Sequence, residues 1–204
     1  MTKQALATFL ILCLSTDAAE STKPKSAVHV ECHGMLRSGV VAIGGETTGT
    51  SIAFDRVIWD LKLADETGQN FAKDHHKKSV VVVGTLRRMN GVQVPSRWII
   101  DVERIAEPDR ATAKPGAEVT VVGILNRPET LNSPEKKSDH SPDAMLEADG
   151  FSWPLDLSGH ADFLKRASSH FGKPMTVKGQ IERAGGADSK HRLIIRVTKL
   201  DSAE

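Results

Sequence analysis

Two adjacent residues, Cys32 and His33, are the types that could form a thiol nucleophile and its base. A reactive cysteine needs partial exposure and a nearby group that favours the thiolate. These two residues lie in a stretch with strand-like alternation, where neighbouring side chains point to opposite faces. Cys32 then belongs to the core face and His33 to the other face. We therefore expect a buried, hydrophobic cysteine and no catalytic residues.

Histidine and aspartate also gather in patterns that could bind a transition metal. Residues 74–78 read Asp-His-His-Lys-Lys, and His160, Asp162 and His170 form a looser set in the second part of the chain. Adjacent histidines on a helix point about 100° apart, and the sequence has no cysteine pair or regular histidine spacing for zinc. We predict no metal site and no cofactor. The lysines of the first run are interpreted as the basic end of a helix.

The composition does not favour recognition of nucleic acid. The formal net charge is +1, aromatic residues make up 4% of the chain and tyrosine is absent. Binding of a single strand usually needs a basic groove with exposed rings on which bases stack. Trp59, Trp98 and Trp153 fall on apolar faces of predicted strands, which assigns them to the core. We therefore do not expect a nucleic-acid partner.

Residues 1–19 have the three parts of a secretory signal peptide. One lysine precedes ten apolar residues, Ala5 to Leu14, and small residues follow, with cleavage expected near Ala19. The apolar run is too short to cross a bilayer as a helix, so no membrane-spanning segment is expected after cleavage. Cys32 is then the single remaining cysteine, which excludes an intramolecular disulfide. The predicted location is secreted or periplasmic.

Four sequence blocks recur in the same order, which indicates a duplicated unit. VVVVGTLRR at 80–88 matches MTVKGQIER at 175–183, and RWIIDVERI at 97–105 matches RLIIRVTKL at 192–200. FDRVIWDLKL at 54–63 matches ADGFSWPLDL at 148–157, and CHGMLR at 32–37 matches VVGILN at 121–126. We predict two units, residues 27–106 and 118–201, joined by a linker at 107–117.

Each unit has the order strand, hairpin, helix, strand, strand. Gly34, Gly84, Gly123 and Gly179 lie inside strands, where a small barrel must coil sharply. This pattern resembles the OB-fold, a five-stranded Greek-key barrel, and the chain is similar to small secreted and periplasmic bacterial OB-fold proteins of uncharacterised function. The resemblance implies a mainly β fold with one helix per unit, built as two tandem OB-like five-stranded barrels packed together. Another small antiparallel barrel or sandwich is the alternative.

The loop after the first strand is the candidate ligand-contact region, because OB-folds bind ligands with this loop. The residues that define this candidate loop are Gly44, Gly45, Thr48 and Gly49.

The two middle strands of the chain are apolar on both faces. A strand of this kind is usually buried on both sides, so we predict that the extra apolar residues form the interface between the two units. The candidate interface consists of Val81, Val83, Val122 and Ile124.

These features favour an exported, non-catalytic binding or scaffold protein with two OB-like units. Its expected partner is an envelope or extracellular ligand, which could be a protein, a glycan or a small molecule. We predict no enzyme activity, because no set of residues has the spacing of a catalytic site. A metal-dependent extracytoplasmic hydrolase or metal-binding protein is the first alternative, and single-stranded nucleic-acid binding is the second.

Overall fold

The computed structural model describes residues 26–39, 47–90, 96–109, 114–128, 142–184 and 192–203. The first half of the chain contains β1 (Ala27–Ser38), β2 (Thr50–Phe54), β3 (Val57–Lys62), α1 (Glu66–Asp74), β4 (Ser79–Met89) and β5 (Arg97–Ala106). The second half contains β6 (Gly116–Asn126), β7 (Ala144–Ala148), β8 (Phe151–Asp156), α2 (Ala161–His170), β9 (Pro174–Ala184) and β10 (Arg192–Ser202). The predicted mainly β structure, with one helix between the third and fourth strands of each half, is confirmed.

The strands of the first half close into a five-stranded barrel. β1 pairs with β2, β2 with β3, β3 with β5, β5 with β4, and β4 returns to β1. The β3–β5 pair is parallel and the others are antiparallel. This closed arrangement leaves no unpaired edge among the described strands of the first half, which removes a common route to aggregation.

The strands of the second half pair in the corresponding order, from β6 through β7, β8, β10 and β9 and back to β6. The β8–β10 pair is parallel, as β3–β5 is. The two halves join through an antiparallel ladder between β1 and β6, which runs from Ala27 opposite Val122 to His33 opposite Gly116. A single ten-stranded sheet therefore runs through the described part of the chain.

Two tight turns set the register of the hairpins that follow the first strand of each half. Asp55 and Arg56 have φ angles of 37° and 63°, and Asp149 and Gly150 have φ angles of 50° and 69°. Two consecutive residues with positive φ are the requirement of a type I′ hairpin turn, whose twist matches that of the strands. The hairpins expected at these positions are present.

Four glycines inside strands lie where a neighbouring backbone passes very closely. A Cβ atom at Gly34 or Gly84 would clash with the carbonyl oxygen of Ala53 or Asp101, respectively. A Cβ atom at Gly123 or Gly179 would clash in the same way with a carbonyl oxygen of the second half, that of Glu147 or Arg196. Each glycine is therefore required by close approach of the strands, as expected for a small, strongly coiled barrel.

Candidate nucleic-acid interface

Three strands of the first half carry apolar side chains next to one another on their outer face. In the register of the sheet, Met35 of β1 lies beside Ala53 of β2, which in turn lies beside Ile58 of β3. Met35 is 49% exposed and Ile58 is 57% exposed. Single exposed apolar residues are common, but neighbours across three strands form a patch that suits a binding partner. We name Met35, Ala53 and Ile58 the apolar row.

Strand alternation explains why the apolar row points outward. Leu36, Ile52 and Trp59 are the sequence neighbours of the row residues, and all three are fully buried in the barrel. Successive side chains of a strand point to opposite faces, so burial of these three turns the row residues toward the outside.

Two arginines border the apolar row. Arg37 is the next outward residue of β1, opposite Ser51, and Arg56 occupies the turn between β2 and β3. Both arginines are exposed and line, together with the apolar row, a groove of about 420 Å³. Among the residues that the structure describes, neither arginine forms an ion pair. Their charges are therefore available to an anionic ligand.

A short basic segment after α1 lies against the same end of β1. The Lys77 amide donates to the Leu36 carbonyl over 2.8 Å, and the Leu36 amide donates to the Lys78 carbonyl over 2.9 Å. Both lysines are exposed. The Ser38 amide donates to Nδ1 of His76 over 3.1 Å. We name Arg37, Arg56, Lys77 and Lys78 the basic border of the apolar row.

Three other basic residues on the outer face of the first barrel are paired with neighbouring carboxylates. Arg97 approaches Asp60 to 2.5 Å, and both side chains are less than one-fifth exposed. Arg87 lies 2.5 Å from Asp101, and Lys62 lies 3.8 Å from the same carboxylate. These three charges are therefore less available to a phosphate group than those of the basic border. Arg104 of β5 is also exposed and has no ion pair among the described residues, but it does not line the groove.

The aromatic side chains lie elsewhere, and four residues form a cluster between the two halves. The Trp98 ring centroid is 4.9 Å from those of Phe151 and Trp153. The Arg88 guanidinium lies 5.0 Å from the Phe151 ring centroid, within cation–π distance. Trp59 and Trp153 are buried, as predicted, whereas Trp98 is half-buried and contacts the second half. No described aromatic residue lines the groove beside the apolar row, apart from the buried Phe54.

The corresponding face of the second half has different chemistry. Ile124 of β6, Glu147 of β7 and Ser152 of β8 lie side by side where the first half has the apolar row. Asn126 takes the place of Arg37, and its Nδ2 donates to Oε2 of Glu147 over 3.2 Å. Gly150 takes the place of Arg56 in the turn. This face therefore carries a carboxylate and lacks both arginines.

The junction between the two halves is acidic. Glu31 of β1 lies directly opposite Glu118 of β6 in the inter-half ladder, a pairing of like charges that is unfavourable in a sheet. Nε2 of His33 lies 3.1 Å from Oε1 of Glu31. A second groove of about 420 Å³ lies here, and its other charged lining residues are Asp55, Lys114 and Glu182. It shares Asp55 and Pro115 with the groove beside the apolar row, so the two grooves are adjacent.

Part of the candidate ligand-contact loop can be described. Gly44 and Gly45 lie outside the described residues. The Thr48 hydroxyl donates to the Thr50 carbonyl over 2.9 Å, and the Gly49 amide donates to the Thr47 hydroxyl over 3.1 Å. Gly49 has a φ angle of 78°, which favours glycine. These bonds lead the chain into β2, and ligand contact by this loop stays a prediction.

The structure does not bring the four candidate interface residues together along the ladder. β1 lies between β4, which carries Val81 and Val83, and β6, which carries Val122 and Ile124. Val83 lies level with Glu31, whereas Val122 lies level with Ala27, four residues away along β1. Val81 is buried, but Ile124 is 38% exposed. The halves meet through the β1–β6 ladder, which includes Val122, and through the aromatic cluster. The interface role of the other three residues stays a prediction.

Cys32 and His75, two of the candidates for covalent or metal chemistry, have structural roles. Cys32 is fully buried, as predicted, and burial raises the pKa of its thiol far above the usual range. His75 stacks on Phe71, and its two ring nitrogens lie 2.8 Å from the Phe71 carbonyl and from Oε1 of Glu107. In the described ranges, no three His, Cys, Asp or Glu side chains meet as a metal-binding group. No helix there has the length and apolar character needed to cross a membrane.

Comparison with known proteins places this geometry in a structural class. No protein-family profile matches the chain, and no curated protein matches it in sequence. The crystal structure of the wild-type single-stranded DNA binding protein from Thermus aquaticus superposes with a TM-score of 0.52 and 14% identity, covering 88% of this chain and 94% of that chain. A deletion mutant of the same protein gives a TM-score of 0.54 and 14% identity, covering 88% and 96%. The fold is OB-like.

The predicted function and partner are wrong in the light of this finding. We expected an exported protein with an envelope or extracellular ligand and no nucleic-acid partner, whereas the similar OB-like structures are single-stranded DNA binding proteins. The error has a physical cause. The formal net charge of +1 is a sum over the whole chain. It does not show that basic residues gather at the border in the first half, while carboxylates lie at the junction and on the second face.

The predicted secreted or periplasmic location is corrected by the same finding. It rested on residues 1–19, which lie outside the described residues. The apolar row and the basic border were also missed at the sequence level. The usable pattern was the contrast between the blocks at 54–63 and 148–157, in which Arg56 and Ile58 align with Gly150 and Ser152.

Proposed function

We propose that the protein binds single-stranded DNA on the apolar row and basic border of its first half. The observation that carries this proposal is the juxtaposition of exposed Met35 and Ile58 with exposed, unneutralised Arg37 and Arg56 in one groove. OB-folds bind oligonucleotides on the face of strands two and three and with the flanking loops. The similar solved structures are single-stranded DNA binding proteins, which supports the proposal. The fold alone does not decide function.

The two parts of the groove have different tasks. Arginine and lysine side chains of the basic border contact phosphates, which supplies affinity but no sequence preference. The apolar row offers Met35 and Ile58 as surfaces against which unstacked bases pack. Because no exposed ring is available for stacking among the described groove residues, phosphate contacts supply most of the binding free energy. We therefore expect non-enzymatic binding with a steep dependence on salt.

We also propose that the chain consists of two tandem OB-like barrels, residues 27–106 and 118–201, joined at 107–117. Both halves have the same order of strand pairing, including one parallel pair each. Their close-approach glycines occupy matching strand positions. The superposed regions cover 88% of the chain, which is more than either half could supply alone. All three facts support a duplicated unit.

The proposal is tested by fluorescence anisotropy with a labelled oligothymidylate of about 15 nucleotides, near the upper site size of one OB-fold. The variant replaces both arginines of the border, Arg37→Glu with Arg56→Glu. The matched control is Lys165→Glu, which changes an exposed charge on α2 of the second half. Each protein is titrated at several salt concentrations, and circular dichroism checks that it is folded.

We expect the wild type and Lys165→Glu to bind equally and the double variant to bind at least about tenfold more weakly. The plot of log K against log salt has a negative slope, and each phosphate contact to a single strand contributes about 0.7 to its steepness. Loss of two contacts therefore makes the slope less steep by about 1.4. Equal binding by the double variant and the control contradicts the assignment of the groove. Absence of binding by the folded wild type at low salt contradicts the function.

A further inference from the structure

We infer that a bound single strand is confined to the first half, so that the binding footprint is that of one OB-like barrel, although the chain carries two sets of barrel strands. This inference rests on the proposed function and adds the extent and the boundary of its site. Three features of the second half and of the junction carry it.

The first feature is the face that corresponds to the apolar row. Glu147 stands at the position of Ala53, and Ser152 stands at the position of Ile58. Asn126 bonds to Glu147 and fixes the carboxylate on this face. A phosphate backbone that followed the same path as in the first half would meet a negative charge and no counterpart of Arg37 or Arg56. The second face is therefore a poor site for a polyanion.

The second feature is the acidic junction that a strand would have to cross. Glu31 and Glu118 face each other there. Asp55 and Lys114 line the same groove, whereas Glu182 is paired with Arg196. The junction groove and the apolar-row groove share Asp55 and Pro115, so the acidic surface begins where the basic border ends. The carboxylates of Glu31 and Glu118 repel phosphates and stop the strand at the edge of the first half.

The third feature is the use of the aromatic residues near the other end of the junction. The rings of Trp98, Phe151 and Trp153 pack against each other, and Arg88 lies over Phe151. Base stacking needs a free ring face. Trp153 is buried, and Trp98 and Phe151 are half-buried in contacts between the halves. This route to the second half therefore offers no fully exposed ring in the cluster.

The footprint is measured with oligothymidylates from about 4 to about 32 nucleotides, a range that spans one to two OB-fold sites. The boundary is tested with the double variant Glu118→Gln and Glu147→Ala, which removes one junction carboxylate and gives the second face the alanine of the first. Glu66→Gln removes an exposed carboxylate from α1 and is the matched control. Ile124→Asp, made in the otherwise unchanged protein, tests whether the second face contributes to binding of the oligonucleotide.

In the wild type and in Glu66→Gln, affinity rises with length up to about 16 nucleotides and then changes by less than about twofold. Ile124→Asp binds as the wild type does. In the double variant, extending the oligonucleotide from about 16 to about 32 nucleotides raises affinity at least about fivefold, because the strand now reaches the second half.

The outcomes separate the inference from the proposed function. If the wild type binds but gains affinity up to about 32 nucleotides, or if Ile124→Asp weakens binding, the confinement is overturned while DNA binding stands. If the wild-type footprint is short and the double variant does not lengthen it, confinement by the acidic residues is overturned. If the folded wild type binds no oligothymidylate, both proposals are overturned.

Discussion

The two halves of the molecule carry the same triangle of three charged side chains, in which one central charge pairs with two opposite charges, and every sign is reversed between the halves. In the first half, the carboxylate of Asp101 on β5 is the central group. It lies 2.5 Å from Arg87 of β4 and 3.8 Å from Lys62 of β3.

In the second half, the guanidinium of Arg196 on β10 takes the position of Asp101. It lies 3.0 Å from Glu182 of β9 and 3.6 Å from Asp156 of β8. Glu182 and Asp156 occupy the positions of Arg87 and Lys62 in the repeated blocks. The attraction across three strands is therefore retained although all three charges differ.

This comparison separates charges that hold the barrel from charges that are available for binding. The triangle keeps its geometry and reverses its signs, so its task is to tie the third, fifth and fourth strands together. The apolar row and its border behave in the opposite way. Their counterparts in the second half, Ile124, Glu147 and Ser152, keep the positions and lose the chemistry. The two halves therefore share the strand arrangement and the position of the charge triangle, and they differ in the residues of the candidate ligand surface.

The largest expected effect on stability comes from Trp98, a residue of the first half that packs against the second half. Trp98→Ala removes the ring that packs on Phe151 and Trp153, and we expect a loss of about 3 kcal/mol in the free energy of unfolding. Chemical denaturation measures this loss. Trp98→Leu copies the residue that the second half has at this position, Leu193, and should lose less. Equal stability of Trp98→Ala and the wild type would show that the cluster does not couple the halves.

The next effect concerns the close-approach glycines, which should respond alike in the two halves. Gly84→Ala and Gly179→Ala each place a methyl group against a carbonyl oxygen of the neighbouring strand, and each should cost about 2 kcal/mol. Gly116→Ala is the control, because a Cβ there meets nothing within 4 Å. Thermal unfolding measures all three variants. A large loss at Gly84 with none at Gly179 would contradict a common framework.

The triangles give a smaller effect, because their side chains are partly exposed. Asp101→Arg places three positive charges together, and we expect a loss of about 1 kcal/mol. Adding Lys62→Asp and Arg87→Glu rebuilds the second-half triangle in the first half and should restore the stability. Urea titrations of the single and triple variants test this. If the triple variant is as unstable as the single variant, the first half does not tolerate the charges of the second-half triangle, and the two triangles are not equivalent.

The smallest effect is a pH dependence of the second triangle. Burial raises the pKa of Asp156, but hydrogen bonds from Ser158 and the charge of Arg196 outweigh it, and the net pKa is lower than usual. A carboxylate with a lowered folded-state pKa stabilises the fold above its unfolded pKa, and this contribution is lost as the pH falls through the folded value. We expect Asp156→Asn to cost less than about 1 kcal/mol at neutral pH. The difference from the wild type should shrink in acid below the ordinary carboxyl pKa of 3.8. A difference that is constant with pH would contradict the ion pair.

The framework was accessible from the sequence because each clue was local. Alternation placed Cys32, Trp59 and Trp153 in the core, and Asp55-Arg56 and Asp149-Gly150 were expected as turns. The ligand surface was not accessible in this way. Met35 is distant in sequence from Ala53 and Ile58, and it becomes their neighbour only through the register of β1 and β2. The neutralisation of Arg87 and Arg97 is likewise a tertiary fact, and net charge cannot show which arginines are unneutralised.

The most direct test of the account is to give the first half the ligand surface of the second. The variant Ala53→Glu with Ile58→Ser copies the residues Glu147 and Ser152 onto the apolar row and leaves both arginines in place. Anisotropy titration with an oligothymidylate of about 15 nucleotides at low salt compares it with the wild type. We expect the folded variant to bind at least about tenfold more weakly, since a carboxylate now lies among the phosphate contacts. Unchanged affinity would contradict the claim that the apolar row is the binding surface.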